Sequence, residues 1–141
     1  MRSRDALVAD LAACLEQVPA ATFAYLFGSR ARGDAREDSD VDVAVYGTPS
    51  GWALFRDCLG ALGERFPTGR VHLTLLADAP PGLVYRVLRD GVPLLDRDPV
   101  ARVRFAVRGM SMYQDMAHMH RLYAEADAAR AGGEGGTARD G

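Results

Sequence analysis

Apolar positions along the chain alternate between two periods. Over residues 4–18, Leu7, Val8, Leu11, Leu15 and Val18 recur at helical spacing, and Pro19 ends the run. The period then becomes extended, with a strand expected over 22–27 that stops at Gly28-Ser29. A polar stretch from Asp34 to Asp38 crosses to a second strand at 41–46, Val41-Asp42-Val43-Ala44-Val45-Tyr46. Gly47-Thr48-Pro49-Ser50 reads as a turn, with Ser50 expected to cap a helix from 51 to about 64 that carries Trp52, Phe55, Leu59 and Leu62 on one face. Val71 to Leu76 reads as a third strand. Pro80-Pro81 opens a further helix, closed by Asp90-Gly91 with Gly91 as its C′ residue, and Val92 to Leu95 suits a short fourth strand. A long helix is expected from about 99 to 129. The Gly-rich run Gly132-Gly133-Glu134-Gly135-Gly136-Thr137 belongs to an expected disordered tail.

This alternation predicts an α/β (α+β) fold, a small sheet with helices packed on it. Three parts are expected: a core over 1–98, a C-terminal helix over 99–130 packing on the core and on a partner, and a disordered tail over 131–141. A chain of 141 residues with 48% apolar content is long enough for one ordinary core. A net charge of −2 argues against gripping long nucleic acid through its phosphates. Cys14 and Cys58 fall inside helical patterns, which suits a reduced cytoplasmic protein without a disulfide framework. No apolar run approaches the roughly 20 residues of a membrane span, and no signal-peptide core is visible, so a soluble protein with no membrane contact is expected.

Candidate chemistry concentrates between Phe27 and Val43. Asp40 and Asp42 are two apart, so in a strand both carboxylates point to one face, where they repel unless a cation lies between them. All-oxygen ligands of this kind select Mg²⁺. Gly28-Ser29, at the end of the preceding apolar run, turns into a short helix and offers backbone amides and a hydroxyl as a phosphate cradle. Either feature alone is usually a turn or a solvated strand end. Their combination, with ten residues between Ser29 and Asp40, is far more specific. Arg30 and Arg32 add charge for phosphates, with a solvated helix face as the bland alternative, and Gly33 suits a close turn.

The Gly28-Ser29 and Asp40-x-Asp42 pattern resembles the signature of the DNA polymerase beta-like nucleotidyltransferase superfamily. Arg30-Ala31-Arg32-Gly33 and Ser39 are similar to its small bacterial branch, the minimal nucleotidyltransferases. The resemblance covers roughly residues 20–98. It implies a nucleotidyltransferase core with a small mixed sheet flanked by helices, ATP as substrate, and Mg²⁺ held by Asp40 and Asp42. The nucleotide would be bound by Gly28, Ser29, Arg30, Arg32 and Gly33. The superfamily's third carboxylate, on the next long strand, is replaced here by His72, with Asp78 just beyond that strand. Histidine is a poor ligand for Mg²⁺, an adequate one for Mn²⁺ and a capable general base. Asp40, Asp42 and His72 are therefore the candidate catalytic residues.

The resemblance also implies a partner. Minimal nucleotidyltransferases are commonly antitoxins of a HEPN-type RNase toxin, and adenylylate a tyrosine on it. Residues of the last helix supply two apolar faces, one with Val103, Ala106, Met110, Tyr113 and Ala117, the other with Phe105, Met112, Met116, Met119 and Tyr123. One docks on the sheet and the other suits a protein interface. His118 and His120 fall on different sides of that helix and do not form a metal pair. Two alternatives stand beside the adenylylating antitoxin: a non-catalytic nucleotide-binding antitoxin, and a small-molecule transferase of the aminoglycoside-modifying type.

Overall fold

The structure, a computed structural model, describes residues 3–36, 39–67 and 69–140, and of 133–140 the backbone alone. Glu37 and Asp38 of the expected polar crossing, and Gly141 of the tail, lie outside the described residues. Helix α1 (Arg4–Leu15) starts where Ser3 Oγ accepts the Ala6 amide at 3.1 Å. It stops three residues short of the periodic run, since Pro19 disfavours a helical Val18. Strand β1 (Ala21–Phe27) leads through Gly28 into the single turn α2 (Ser29–Arg32), and β2 (Val41–Gly47) follows. Helix α3 (Trp52–Gly63) and strand β3 (Val71–Leu75) come next, then a 3₁₀ turn at Leu76–Asp78. Helix α4 (Pro81–Asp90), strand β4 (Val92–Asp96) and helix α5 (Pro99–Asp140) complete the order.

The four strands form one mixed sheet in the order β3-β2-β1-β4. β1 runs antiparallel to β2 and β4, while β2 and β3 are parallel. Period-two alternation assigns the faces. Val41, Val43 and Val45 join Leu7, Leu11 and Leu15 of α1 and Leu54, Cys58 and Leu62 of α3 in one core. Ala44 and Tyr46 join Phe23, Tyr25, Val84, Val87 and Phe105 in a second core, under α4 and α5. Asp42 shares the face of Ala44 and Tyr46, at the strand end where that core stops.

Local expectations change in five places. Ser50 does not cap α3: Gly51 occupies the cap position without a side-chain bond, and Ser50 Oγ donates to Asp78 Oδ2 at 3.2 Å. Trp52, Phe55 and Leu59 share a face with Leu62, yet only Leu62 is buried. Leu54, Cys58 and Ala61 carry the packing, while Trp52 is 72% exposed and Leu59 41%. Gly91 follows α4 with φ −68°, not left-handed, and is required for space, because a Cβ there would collide with the Val87 carbonyl. On α5 the packed stripe runs through Phe105, Gly109, Tyr113 and Met116, so it mixes the two expected faces, and Val103 and Met110 point outward. The α5 backbone continues to Asp140, into the Gly-rich run, with no proline to stop it.

Candidate functional site

At the end of β1, Gly28 turns the chain with φ 75° and ψ −157°, a region essentially closed to residues carrying a Cβ. The conformation aims the start of α2 across the sheet end. A Cβ on Gly28 would fall onto Asp42 Oδ2, so only bare backbone lets the cradle and the carboxylate meet. Gly33 closes α2 in the left-handed region at φ 84° with open space around it, so it is needed for conformation alone. Arg30 clasps the loop that follows: its Nη2 and Nε donate to the Ser39 carbonyl at 2.6 and 3.2 Å. Ser39 Oγ accepts the Arg36 amide at 2.8 Å. These bonds tie the approach to Asp40 onto the cradle.

Strand register brings the other groups into one row. Phe27 pairs with Asp42 across β1 and β2, and Asp42 pairs with His72 across β2 and β3. His72 Nε2 lies 3.3 Å from Asp40 Oδ2, and Nδ1 lies 3.6 Å from Asp42 Oδ1. The ring edge thus faces both carboxylates. Burial pushes the Asp42 carboxyl above its ordinary range, and nearby Asp40 adds to this, while His72 and Arg32 pull the other way. Arg32 itself ion-pairs with Asp34 at 3.3 Å. Gly28, Ser29, Arg30, Arg32, Gly33, Asp40, Asp42 and His72 therefore gather at one end of the sheet. Asp78 does not join them: it follows the opposite end of β3, where Ser50 holds it. His118 and His120 lie exposed on α5.

The C-terminus of α4 also reaches this end, which local sequence patterns did not reveal. Asp90 is held below its usual range by its bond to Arg89, with Arg32 contributing. Arg89 lies 5.5 Å over the Tyr85 ring, and Tyr85 stacks on Tyr113 of α5 at 4.0 Å. Asp90-Gly91 reads in sequence only as a helix stop, because its place at this end is set by the pairing of Val92 with the distant Leu26.

Asp40 and Asp42 suit Mg²⁺. Among the described residues no three His, Cys, Asp or Glu side chains form a ready-made metal cage. Mg²⁺ seldom uses one: it takes one or two carboxylates and completes its shell with water and substrate phosphates.

A family model described as polymerase beta, nucleotidyltransferase, matches residues 9–100. The chain belongs to this nucleotidyltransferase family. Among solved structures it is similar to a chain of a toxin–antitoxin complex crystallised with AMP-PNP, at 25% identity and TM-score 0.67, covering 86% of this chain and 98% of that one. It has the fold of a chain from a complex of a tri-AMPylated Shewanella oneidensis HEPN toxin with MNT antitoxin, at 23% identity and TM-score 0.63, covering 89% and 98%. A chain of an MntA–HepT toxin–antitoxin structure matches at 23% identity and TM-score 0.59, covering 89% and 97%. No curated protein matches the sequence. No helix among the described residues is long and apolar enough to cross a membrane.

Proposed function

We propose that this nucleotidyltransferase is a cytoplasmic antitoxin that transfers AMP from ATP to a tyrosine of a HEPN-type toxin. The observation that carries the proposal is the convergence of the Gly28–Ser29 cradle, the Asp40–Asp42 pair and His72 in one row at the sheet end. Similarity to a toxin–antitoxin complex containing AMP-PNP, and the shared fold with the antitoxin of an AMPylated toxin, support the choice of nucleotide and partner.

Each residue has a role in this scheme. Ser29 and the amides opening α2 hold the β- and γ-phosphates, with Arg32 adding charge. Arg30 keeps Ser39 and Asp40 in place through the Ser39 carbonyl. Asp40 and Asp42 would hold Mg²⁺ or Mn²⁺, which would supply charge neutralisation at the phosphates. His72 takes the proton of the attacking phenol. The new bond joins the phenolic oxygen to the α-phosphorus, the α–β bridging bond breaks, and pyrophosphate leaves.

Incubating the chain with labelled ATP, Mg²⁺ or Mn²⁺, and the protein encoded beside it should attach AMP to a tyrosine of that protein. His72→Ala should slow transfer by about 10²–10⁴-fold. A second reading rests on His72 standing where the family has a carboxylate. If the wild type attaches no AMP with either metal yet still silences the toxin, neutralisation is by complex formation and the transfer proposal fails.

A further inference from the structure

Strand order decides from which side an acceptor approaches. Across the active end of the sheet the row runs from the cradle at the end of β1, through Asp42 on β2, to His72 on β3. In phosphoryl and nucleotidyl transfer the attacking and leaving oxygens lie roughly in line. The cradle takes the β,γ-phosphates, so pyrophosphate departs toward β1. The nucleophile must therefore enter from the β3 side.

On that side lies a groove of about 650 Å³ between α3 and the edge strand β3. One wall is the stripe Trp52, Phe55 and Leu59, which α3 leaves outside the core; the two aromatic rings stack with centroids 5.8 Å apart. The other wall is Val71 and Leu73 of the edge strand, and His72 between them borders the groove while its ring turns round the edge to the carboxylates. Gly60 on α3 lines the groove and adds no side chain to it. Among the described residues the lining holds no acidic side chain, and its one arginine, Arg56, is engaged by Asp57. A polycationic sugar would find no counter-charge there, and a nucleic-acid end would find little to hold its phosphates. An edge strand beside an apolar groove suits an extended polypeptide, which takes main-chain bonds from the edge and places alternate side chains in the groove.

We propose that the α3–β3 groove is the acceptor site, and that it seats an extended, apolar-flanked protein segment with a tyrosyl hydroxyl presented beside His72. The proposal rests on the transferase reading and names the side and chemistry of its acceptor.

Trp52 is the only tryptophan of the chain, so its emission reports the groove directly. The probe is a synthetic Lys-Leu-Tyr-Val-Lys peptide, added to the full chain up to millimolar concentration, with AMP as a control. The peptide should shift Trp52 emission to shorter wavelength, and AMP should not. Two variants test the lining without disturbing the core. Leu59→Glu charges an exposed position, and Gly60→Phe fills the groove from a helical site where a Cβ meets nothing within 4 Å. Both should abolish the emission shift and raise the peptide KM about tenfold or more, with the KM for ATP unchanged. A shift with the peptide but no AMP transfer would sink the transferase reading and leave the groove as a peptide site. A response to AMP instead of the peptide would make the groove a base-binding site and overturn the proposal. So would an absent response to the peptide, or a peptide KM that neither variant alters.

Discussion

The carboxyl of Asp42 is raised above its ordinary value of 3.8, chiefly by burial, so ionising it costs the folded chain stability that the unfolded chain does not lose. At pH below the unfolded value both states hold the proton and no cost exists. As pH rises through the raised folded value the cost becomes complete. Asp42→Asn should therefore melt at a higher temperature than wild type at about pH 7, with the difference vanishing near about pH 3. On the proposed function the same substitution removes charge that would hold Mg²⁺, and should lower transfer by at least about 100-fold. Thermal denaturation at both pH values and an AMP-transfer assay check the two halves. Gly28 and Gly33 separate strain from contact. Gly28→Ala should cost about 1–3 kcal/mol in urea denaturation and also weaken ATP binding in calorimetry, because its Cβ meets Asp42. Gly33→Ala, strained but in open space, should cost about 1 kcal/mol and leave ATP affinity as it was.

Between elements, Arg97 closes the end of α1. Its Nη1 donates to the carbonyls of Val18 and Ala21 at 2.6 and 2.8 Å, and Nη2 to Glu16 at 2.7 Å. The guanidinium, from the far end of β4, thus ties the chain leaving α1 to the start of β1 through three carbonyls. Arg97→Met should lower the stability of the whole domain by about 2–3 kcal/mol, read as a lower urea midpoint with an unchanged slope. ATP affinity per folded molecule should not change, since Arg97 stands at the opposite end of β1 from Gly28.

For the molecule as a whole, α5 divides into a packed half and a projecting half. Phe105 and Gly109 are buried against the second core, and a Cβ on Gly109 would press into Val84. From His118 to Gly132 every position is exposed, with Met119, Leu122 and Tyr123 among them. Apolar surface of this kind on a helix without neighbours suits a protein partner. Ending the chain after Ala117 should leave the unfolding midpoint within about 2 °C of the full chain, since almost no buried area is lost. On the proposed function it should weaken the complex with the HEPN-type partner at least about tenfold, measured by calorimetry with that partner as titrant.

Period and punctuation in the sequence were enough for the order of helices and strands and for the Gly28–Ser29 and Asp40–Asp42 motifs, because each depends on neighbours a few positions apart. His72 entered only through the family resemblance, since alternation cannot say which face of one strand lies beside which face of another. Facing was less legible. Trp52, Phe55 and Leu59 form an apolar stripe as regular as Leu54, Cys58 and Leu62, and a helical period says nothing about which stripe meets the sheet. On α5 the same ambiguity mixed two faces. The meeting of Gly28 with Asp42, the retreat of Asp78 to the other end of β3, and the arrival of Asp90 beside Arg32 depend on strand order and register. Those are set by how whole faces bury against each other, so only the tertiary structure decided them.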